Sequence, residues 1–404
     1  MLPEGWRRAR LDAVARRASG HTPNKGESSY WNGGIKWVSL ADSWRLDRGY
    51  IAVTEHEISE EGIKNSSAVL LPAGTVILSR DAGVGKSAVL AEPMAVSQHF
   101  IGWDCSVSND LHNWFLYHWL QREKPEFERI AVGSTIKTIG LPFFVRLEID
   151  LPPLVEQQRI AQILSTWDEA IESAVRLASN AKMAMSAMIE QSILRGVKQG
   201  AWPLRHLSDV ATRVQRSEVA EPDLPVLMIS SGAGFLRQDE KYSRFMAGKS
   251  VQNYIALEEG EFAYNKGNSK RYEFGCVYPL KGLPKGLVPH VYVCFRLKDG
   301  HHAGFFEHLF AADFLHDQLG ALVNTGVRNN GLLNIRPADF MACKVPVPPR
   351  DEQQTIAARL EVAAEWVRRS DEYAARLRNE KAALLADLLT GKRRVRIPAA
   401  ETAP

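Results

Sequence analysis

The residues best placed to do chemistry in this 404-residue chain lie in short polar loops between apolar runs. Gly85-Lys86-Ser87 comes first, because a lysine after a glycine is the heart of a phosphate-cradling loop. That loop needs a glycine five places before the Gly-Lys pair, and the position is occupied by Arg80. It also needs a helix to follow, since the helix N-terminus helps hold the phosphate. Here the β-type run Ala88 to Ala91 follows, and then Pro93. A hairpin tip that presents Arg80 and Lys86 to a nucleic acid is the better use of the same residues. An ATP-binding reading stays open to test through Lys86→Ala.

Other catalytic sets are not evident. His301, His302, His308 and His316 lack the carboxylate or cysteine pattern of a metal site. Cys105, Cys276, Cys294 and Cys343 have no metal-type spacing and read as buried thiols in a reducing cytosol. No Asn-Pro-Pro-aromatic or Asp-Pro-Pro-Tyr stretch is present, no helicase motor motif, and no carboxylate–lysine nuclease set. Gly232-Ala233-Gly234 is too short for a cofactor loop. A Ser-His-Asp arrangement is neither flagged nor ruled out. The expectation is a recognition scaffold with no catalytic residue, no metal and no cofactor of its own.

The loops do carry hydroxyls, amides and cations, the groups that contact base edges and phosphates. In the first part of the chain the candidates are His21, Thr22, Lys25, Tyr30, Asn32, Arg80, Lys86, Ser134, Thr135 and Lys137. In the second they are Lys266, Asn268, Lys270, Arg271, Arg328, Asn329 and Asn330. For any one of them an ordinary turn is an equal account. Net charge is only +3, so a nucleic-acid face must come from local clustering. An arginine-rich start without an apolar core, and no run of membrane-spanning length, predict a cytoplasmic protein with no membrane role.

What positions these loops is a repeat. Gly5-Trp6-Arg7 to Ala15 returns as Ala201-Trp202-Pro203 to Ala211, and Glu156-Gln157-Gln158 returns as Glu352-Gln353-Gln354, each 196 positions on. Between the copies of each unit, Ile35 to Leu40 reads as a strand after a Gly33-Gly34 turn. Leu71 to Arg80 and Ala88 to Ala91 form strand, basic tip, strand; Leu224 to Ser231 and Glu258 to Gly267 answer them in the second copy. The aromatic stretches Asn109 to Ile130 and Gly304 to Val323 read as helices whose aromatics are core.

Each unit ends in a long helix. Pro152-Pro153 and Pro348-Pro349 open the two segments, and Gly196 and Gly391 close them. Apolar residues recur at spacings of four and three: Ile160, Leu164, Trp167, Ile171, Ala174, Ala178, Ala181, Met185, Met188, and Ile356, Leu360, Ala363, Val367, Ser370, Ala374, Leu377, Lys381, Leu384, Leu388. That is a heptad seam, alanine-rich at its middle and slightly spoiled by Ser370 and Lys381. About 40 residues span roughly 60 Å. Packing of each helix on its own domain is one account; an antiparallel pair is preferred, because lengths, seams and starts match.

The proline pair, the Glu-Gln-Gln, the heptads and the repeat of the whole unit resemble the specificity subunits of type I restriction–modification systems. So does the Ser19-Gly20-His21-Thr22-Pro23 loop followed by Tyr30-Trp31 and Gly33-Gly34; the second copy departs there. The resemblance implies an α+β fold: two homologous target-recognition domains with small twisted sheets and hairpins, joined by two long antiparallel coiled-coil helices in a pseudo-twofold arrangement. The segments would be 1–150, a first recognition domain; 151–198, the central spacer helix; 199–346, the second recognition domain; 347–392, the distal helix; and 393–404, a mobile basic tail. It implies a non-catalytic subunit that reads a split double-stranded DNA target, one half per domain, with the helices setting the gap. Its partners would be two methyltransferase subunits, which carry S-adenosylmethionine and dock on the outer helix faces and nearby domain edges, and motor-nuclease subunits, which use ATP and magnesium. A related system with methyltransferase and nuclease fused in one partner, and a coiled-coil adaptor without DNA reading, remain as alternatives.

Overall fold

The computed structural model describes residues 2–216, 224–241, 253–267, 269–323 and 333–396. The chain forms two compact units. One comprises residues 1–174 and 373–404, the other residues 175–372. The boundary differs from the five-segment expectation: it falls inside both long helices, not at their ends. The reason is where their apolar seams are buried. Ile160, Leu164, Leu388 and Leu389 share a core with Trp103 and Phe115. Ile356 and Leu360, with Met185 and Met188 against them, share a core with Trp202 and Phe305. Each half-helix is thus part of a globular core.

The first long helix is Leu154–Ile189 and the second Arg350–Leu388. Within the first unit Trp167, Ile171 and Ala174 pack on Ala374 and Leu377, and the alanines let the backbones approach closely. Lys381 does not spoil the seam: its ammonium bonds the Asp168 carboxylate on the facing helix. The pairs Asp168–Lys381 and Ala174–Ala374 run in opposite directions along the two segments, so the packing is antiparallel. Within the second unit Lys182 bridges Asp371 at 2.8 Å.

Gly196 does not close its helix. The helical path continues through a π turn, Glu190–Leu194, and a last turn, Arg195–Lys198. Gly200, at φ +65°, supplies the left-handed stop. Gly196 is required for another reason: a Cβ there would come within 2.7 Å of the Trp202 ring. Gly391, at φ +69°, follows the second helix as expected.

The two units share a frame. In the first, Arg7–Arg10 pairs antiparallel with Glu148–Leu151; in the second, Leu204–His206 pairs with Lys344–Pro346. Each then has an antiparallel sheet of the same order. In the first it runs Arg16–Ser19, Phe100–Asp104, Val76–Ser79, Ser87–Leu90, with Tyr50–Ile51 added in parallel at the edge. In the second it runs Ala211–Arg213, Val293–Leu297, Phe262–Asn265, Cys276–Pro279. Beyond the frame they diverge. The first unit adds a three-stranded sheet, His56–Ile58, Trp31–Val38 and Ala95–Val96. The second adds two separate strand pairs, Leu227–Ser230 with Gly234–Arg237 and Ile255–Glu258 with Lys285–Val288.

Three local expectations change. Gly33-Gly34 is no turn: it lies inside Trp31–Val38, where the register to the neighbouring strand shifts between Trp31 and Ile35. Asn32 at φ +57° and Gly34 at φ +84° make the irregularity. The first aromatic helix begins at Asn113, not Asn109. The second aromatic helix is two, Ala303–Ala311 and His316–Leu322, broken where Asp313 turns left-handed at φ +55°. Their aromatics are core: Phe115, Phe127, Phe305 and Phe306 are fully buried.

The repeated Glu-Gln-Gln acts as a clasp. Gln157 accepts from the His112 N–H and donates to the carbonyls of Asp110 and Pro152. Gln353 accepts from the His302 N–H and donates to Pro348. His112 and His302 stand at the N-caps of the aromatic helices Asn113–Ile130 and Ala303–Ala311. One buried amide therefore joins the start of the long helix to the start of the aromatic helix in each unit. The glutamates take different partners. Glu352 accepts from the Trp202 indole N–H, whereas Glu156 takes a two-pronged bond from Arg394. Arg394 also donates to the Glu4 carbonyl, and Val395 packs on the first core. The tail is therefore docked through Val395, not loose from 393; residues 397–404 lie outside the described residues.

Candidate nucleic-acid interface

In the first unit, four chain segments meet at one end of the five-stranded sheet. The turn Ser97-Gln98-His99 links Ala95–Val96 to Phe100–Asp104. Its backbone is tied on every side: Ser97 N–H to Val38, Phe100 N–H to Ser97, Arg80 N–H to the His99 carbonyl. His21 N–H bonds Val96, which brings in the loop of His21, Thr22 and Lys25. The hairpin tip at 80–86 lies against the polar loop at 132–139, through the Asp81–Thr138 bridge and the bond from Ile139 N–H to Arg80.

A cleft of about 560 Å³ opens there. Thr22 and Lys25 line it, with Trp31, Trp37, His56, Gln98 and His99. The Thr22 hydroxyl donates to the Gln98 amide oxygen. His99 Nδ1 bonds Asp81 Oδ2 at 2.8 Å. Trp31 stands edge-on to Trp37, whose indole N–H bonds the His21 carbonyl. Ser134, Thr135 and Lys137 are exposed on the neighbouring loop.

The other candidates of this unit are placed differently. His21 is exposed but does not line the cleft, and its backbone does the positioning. Asn32 is exposed on the irregular strand, and the Tyr30 carbonyl accepts from Ser59 N–H. Arg80 is largely covered, with Nε 3.7 Å from Asp81 Oδ1. Lys86 Nζ donates to the Ser43 carbonyl at 2.9 Å. The amides of the Gly85-Lys86 tip face inward, to Ser79 and Gly83, and Ser87 opens a strand. That geometry cradles no phosphate.

Sequence reasoning passed over Gln98, His99, Trp31, Trp37 and His56. The signal for the first two was available. They interrupt the apolar run from Met94 to Trp103 with an amide and an imidazole.

In the second unit the hairpin tip beyond Phe262–Asn265 lies against the turn at 230–234. Ser231 and Ser269 share a hydrogen bond of 2.8 Å, and Gly232 N–H bonds the Tyr278 hydroxyl. Lys270 and Arg271 are exposed, with the Arg271 guanidinium 5.3 Å from the Tyr272 ring. Lys266 is half-buried, and burial, with Arg213 nearby, lowers its pKa from the ordinary lysine value. Asn268, Arg328, Asn329 and Asn330 lie outside the described residues.

One cluster elsewhere has the composition of a hydrolytic triad. His118 Nε2 is 3.3 Å from Ser165 Oγ, and Nδ1 is 3.9 Å from Asp168 Oδ2. It does not have the electronics. The Asp168 distance exceeds a hydrogen bond, and that carboxylate is engaged by Lys381. His118 is fully buried, and burial pushes its pKa down to about 3. An imidazole held neutral against the first long helix is a packing group, not a general base. Among the described residues no group of three or more His, Cys, Asp and Glu could hold a metal, and no helix is long and apolar enough to cross a membrane.

Comparison with known proteins agrees with this layout. Residues 3–178 match the family described as Type I restriction modification DNA specificity domain. The MjaIX specificity subunit of Methanocaldococcus jannaschii is 30% identical over 176 residues, 43% of this chain and 40% of that protein. The EcoKI specificity subunit of Escherichia coli is 23% identical over 393 residues, 89% of this chain and 82% of that one. The match thus spans about two-fifths of the first relative and most of the second. The crystal structure of a type I restriction–modification S subunit from M. genitalium superposes with a TM-score of 0.58 at 14% identity, covering 95% of this chain and 96% of that one, which speaks to the fold. Residues 3–178 therefore match a type I restriction modification DNA specificity domain, and the whole chain is similar in fold to a type I S subunit.

Proposed function

We propose that this chain is the DNA-sequence-specificity subunit of a type I restriction–modification complex, each unit reading one half of a bipartite duplex target. The observation that carries the reading is the cleft of the first unit. Thr22, Lys25, Gln98 and His99 line it, and Ser134, Thr135 and Lys137 stand exposed on the polar loop tied to the adjoining hairpin. Hydroxyls, an amide, an imidazole and two lysines are the groups that contact base edges and phosphates. The turn at Ser97 to His99 sits on a backbone held by hydrogen bonds on several sides, and the side chains of Gln98 and His99 are tied to Thr22 and Asp81.

The chemistry then belongs to partners. Two methyltransferase subunits would bring S-adenosylmethionine and dock on the helix faces; motor-nuclease subunits would bring ATP and magnesium. This chain supplies address, not reaction, and needs no cofactor. Two units built on one frame offer two like surfaces, which suits two copies of one partner.

The test is to map N6-methyladenine genome-wide in a naive host that carries this gene with its cognate methyltransferase gene, against a host carrying the methyltransferase alone. A split motif that appears only with both genes is expected. Exchange of residues 202–346 for the same part of another such subunit should change one half only. Insertion of a heptad in each long helix should change the gap and leave both halves intact. A motif independent of this gene would refute the assignment.

A further inference from the structure

The first unit holds two polar side chains at consecutive positions of one turn, each locked from behind. Gln98 is exposed, and its amide oxygen accepts from the Thr22 hydroxyl. That bond occupies one lone pair and leaves the other, together with the amide NH2, for a ligand. His99 is one-third exposed, and its Nδ1 bonds Asp81. With Nδ1 as the donor, Nε2 remains an acceptor toward the cleft that His99 lines. The turn that carries them is fixed by backbone bonds from Val38, His21 and Arg80 strands and loops.

We infer that Gln98 and His99 are the base-reading pair of the first unit, and that Gln98 selects adenine in the major groove. The inference rests on the DNA-reading assignment and deepens it. A glutamine amide matches adenine because it offers a donor and an acceptor to N7 and the N6 amine together. The match needs a fixed amide plane, and the Thr22 hydroxyl supplies it. His99 then addresses an adjacent base, its ring plane set by Asp81. The lysines have another task. Lys25 on the cleft wall and Lys137 on the exposed loop have no such backing contact among the described residues, which suits sequence-independent phosphate contacts. A lone exposed polar pair on a turn would carry no such meaning. Here each member has a dedicated second contact, and both line the same cleft.

The experiment maps methylation motifs for the full chain co-expressed with its cognate methyltransferase, in wild type, Gln98→Ala, Gln98→Glu, His99→Gln and Lys137→Ala forms. Thermal melting of each purified complex checks folding. Gln98→Ala is expected to relax one position of one half-site, losing on the order of ten- to a hundredfold discrimination there, with the other half unchanged. Gln98→Glu keeps an acceptor for Thr22 but removes the donors, and should move that position toward cytosine, whose N4 amine donates. His99→Gln should relax a neighbouring position. Lys137→Ala should slow methylation at all sites evenly and leave the motif intact. Folded Gln98 and His99 variants that return the wild-type motif in both halves would overturn the pair while the DNA-reading assignment stands. No motif from the wild-type complex would remove both.

Discussion

The two units are one frame used twice, and they differ where a reading surface would. The paired end strands, the four-strand antiparallel order and the Gln clasp occur in both. The first unit then builds a three-stranded sheet whose loops gather into a cleft, while the second builds two strand pairs and sets Lys266 beside Arg213. The frame is made of backbone pairing and buried apolar contact, which many sequences satisfy. The added elements are held by particular side chains: Thr22 on Gln98, Asp81 on His99, Ser231 on Ser269. A surface built this way can change without disturbing what lies below it.

The clasp gives the sharpest test of that separation. Gln157 makes three hydrogen bonds where Gln353 makes two, and both amides are buried. Gln157→Ala strands an N–H and carbonyls inside the protein and should cost about 3 kcal/mol; Gln353→Ala should cost about 2 kcal/mol. Hydrogen exchange resolved by unit reads the result, each loss confined to the mutated unit. Equal losses in both units would break the idea that each clasp serves its own core.

Next in size is the glutamate that precedes each clasp. Glu156 is buried and takes Arg394; Arg394→Ala leaves that carboxylate without its cation and should destabilise the first unit by about 2–3 kcal/mol. Glu352 has Trp202 instead, so removal of residues 392–404 should leave the second unit untouched. Denaturant melting followed by exchange in each unit decides this.

Acid should separate the units as well. His118 in the first unit has its pKa pushed down to about 3 by burial, so the folded state stays neutral while the unfolded chain takes up a proton below about 6.5. Stability is therefore full above that value and falls as the pH drops toward 3, by about 1.4 kcal/mol per pH unit between the two. His308 in the second unit is also lowered by burial, with Lys281 adding to that and Glu307 and Glu361 opposing it only in part. The first unit should thus go on losing stability to lower pH and lose more in total, and His118→Gln should flatten its pH dependence.

How much of this could be read from the residues follows from how local each cause is. Pro152-Pro153, the heptads and the repeat announced the long helices, because helix entry and seam periodicity are local signals. Gly196 misled because its role is set by the Trp202 ring folding back over it. Lys381 looked like a flaw because its remedy, Asp168, lies on the other helix. The tail looked loose because Arg394 finds Glu156 across 238 positions. Of the cleft, Thr22 and Lys25 were legible as loop polar groups, while Trp31, Trp37 and His56 enter it only through the pairing of three short strands. Gln98 and His99 were visible as a break in an apolar run, but their meaning depends on Thr22 and Asp81, which strand pairing brings near.

The smallest expected difference concerns the tryptophans that open the two units. Trp202 donates to Glu352 at 3.1 Å, so its indole stands on Glu352 where the Arg394 guanidinium stands on Glu156 in the first unit. Trp6 is buried too, yet its indole N–H has no hydrogen-bond partner among the described residues. Phenylalanine removes the N–H and part of the ring at either site, so the loss of packing is common to both and cancels in the comparison. What remains is the hydrogen bond: Trp202→Phe should cost about 1–2 kcal/mol more than Trp6→Phe, since an unpaired buried donor gains from removal and a charge-assisted one loses. Denaturant melting of the two variants measures the gap. If Trp6→Phe proved the more damaging, the two clasps would not be the variants of one device that their shared spacing implies.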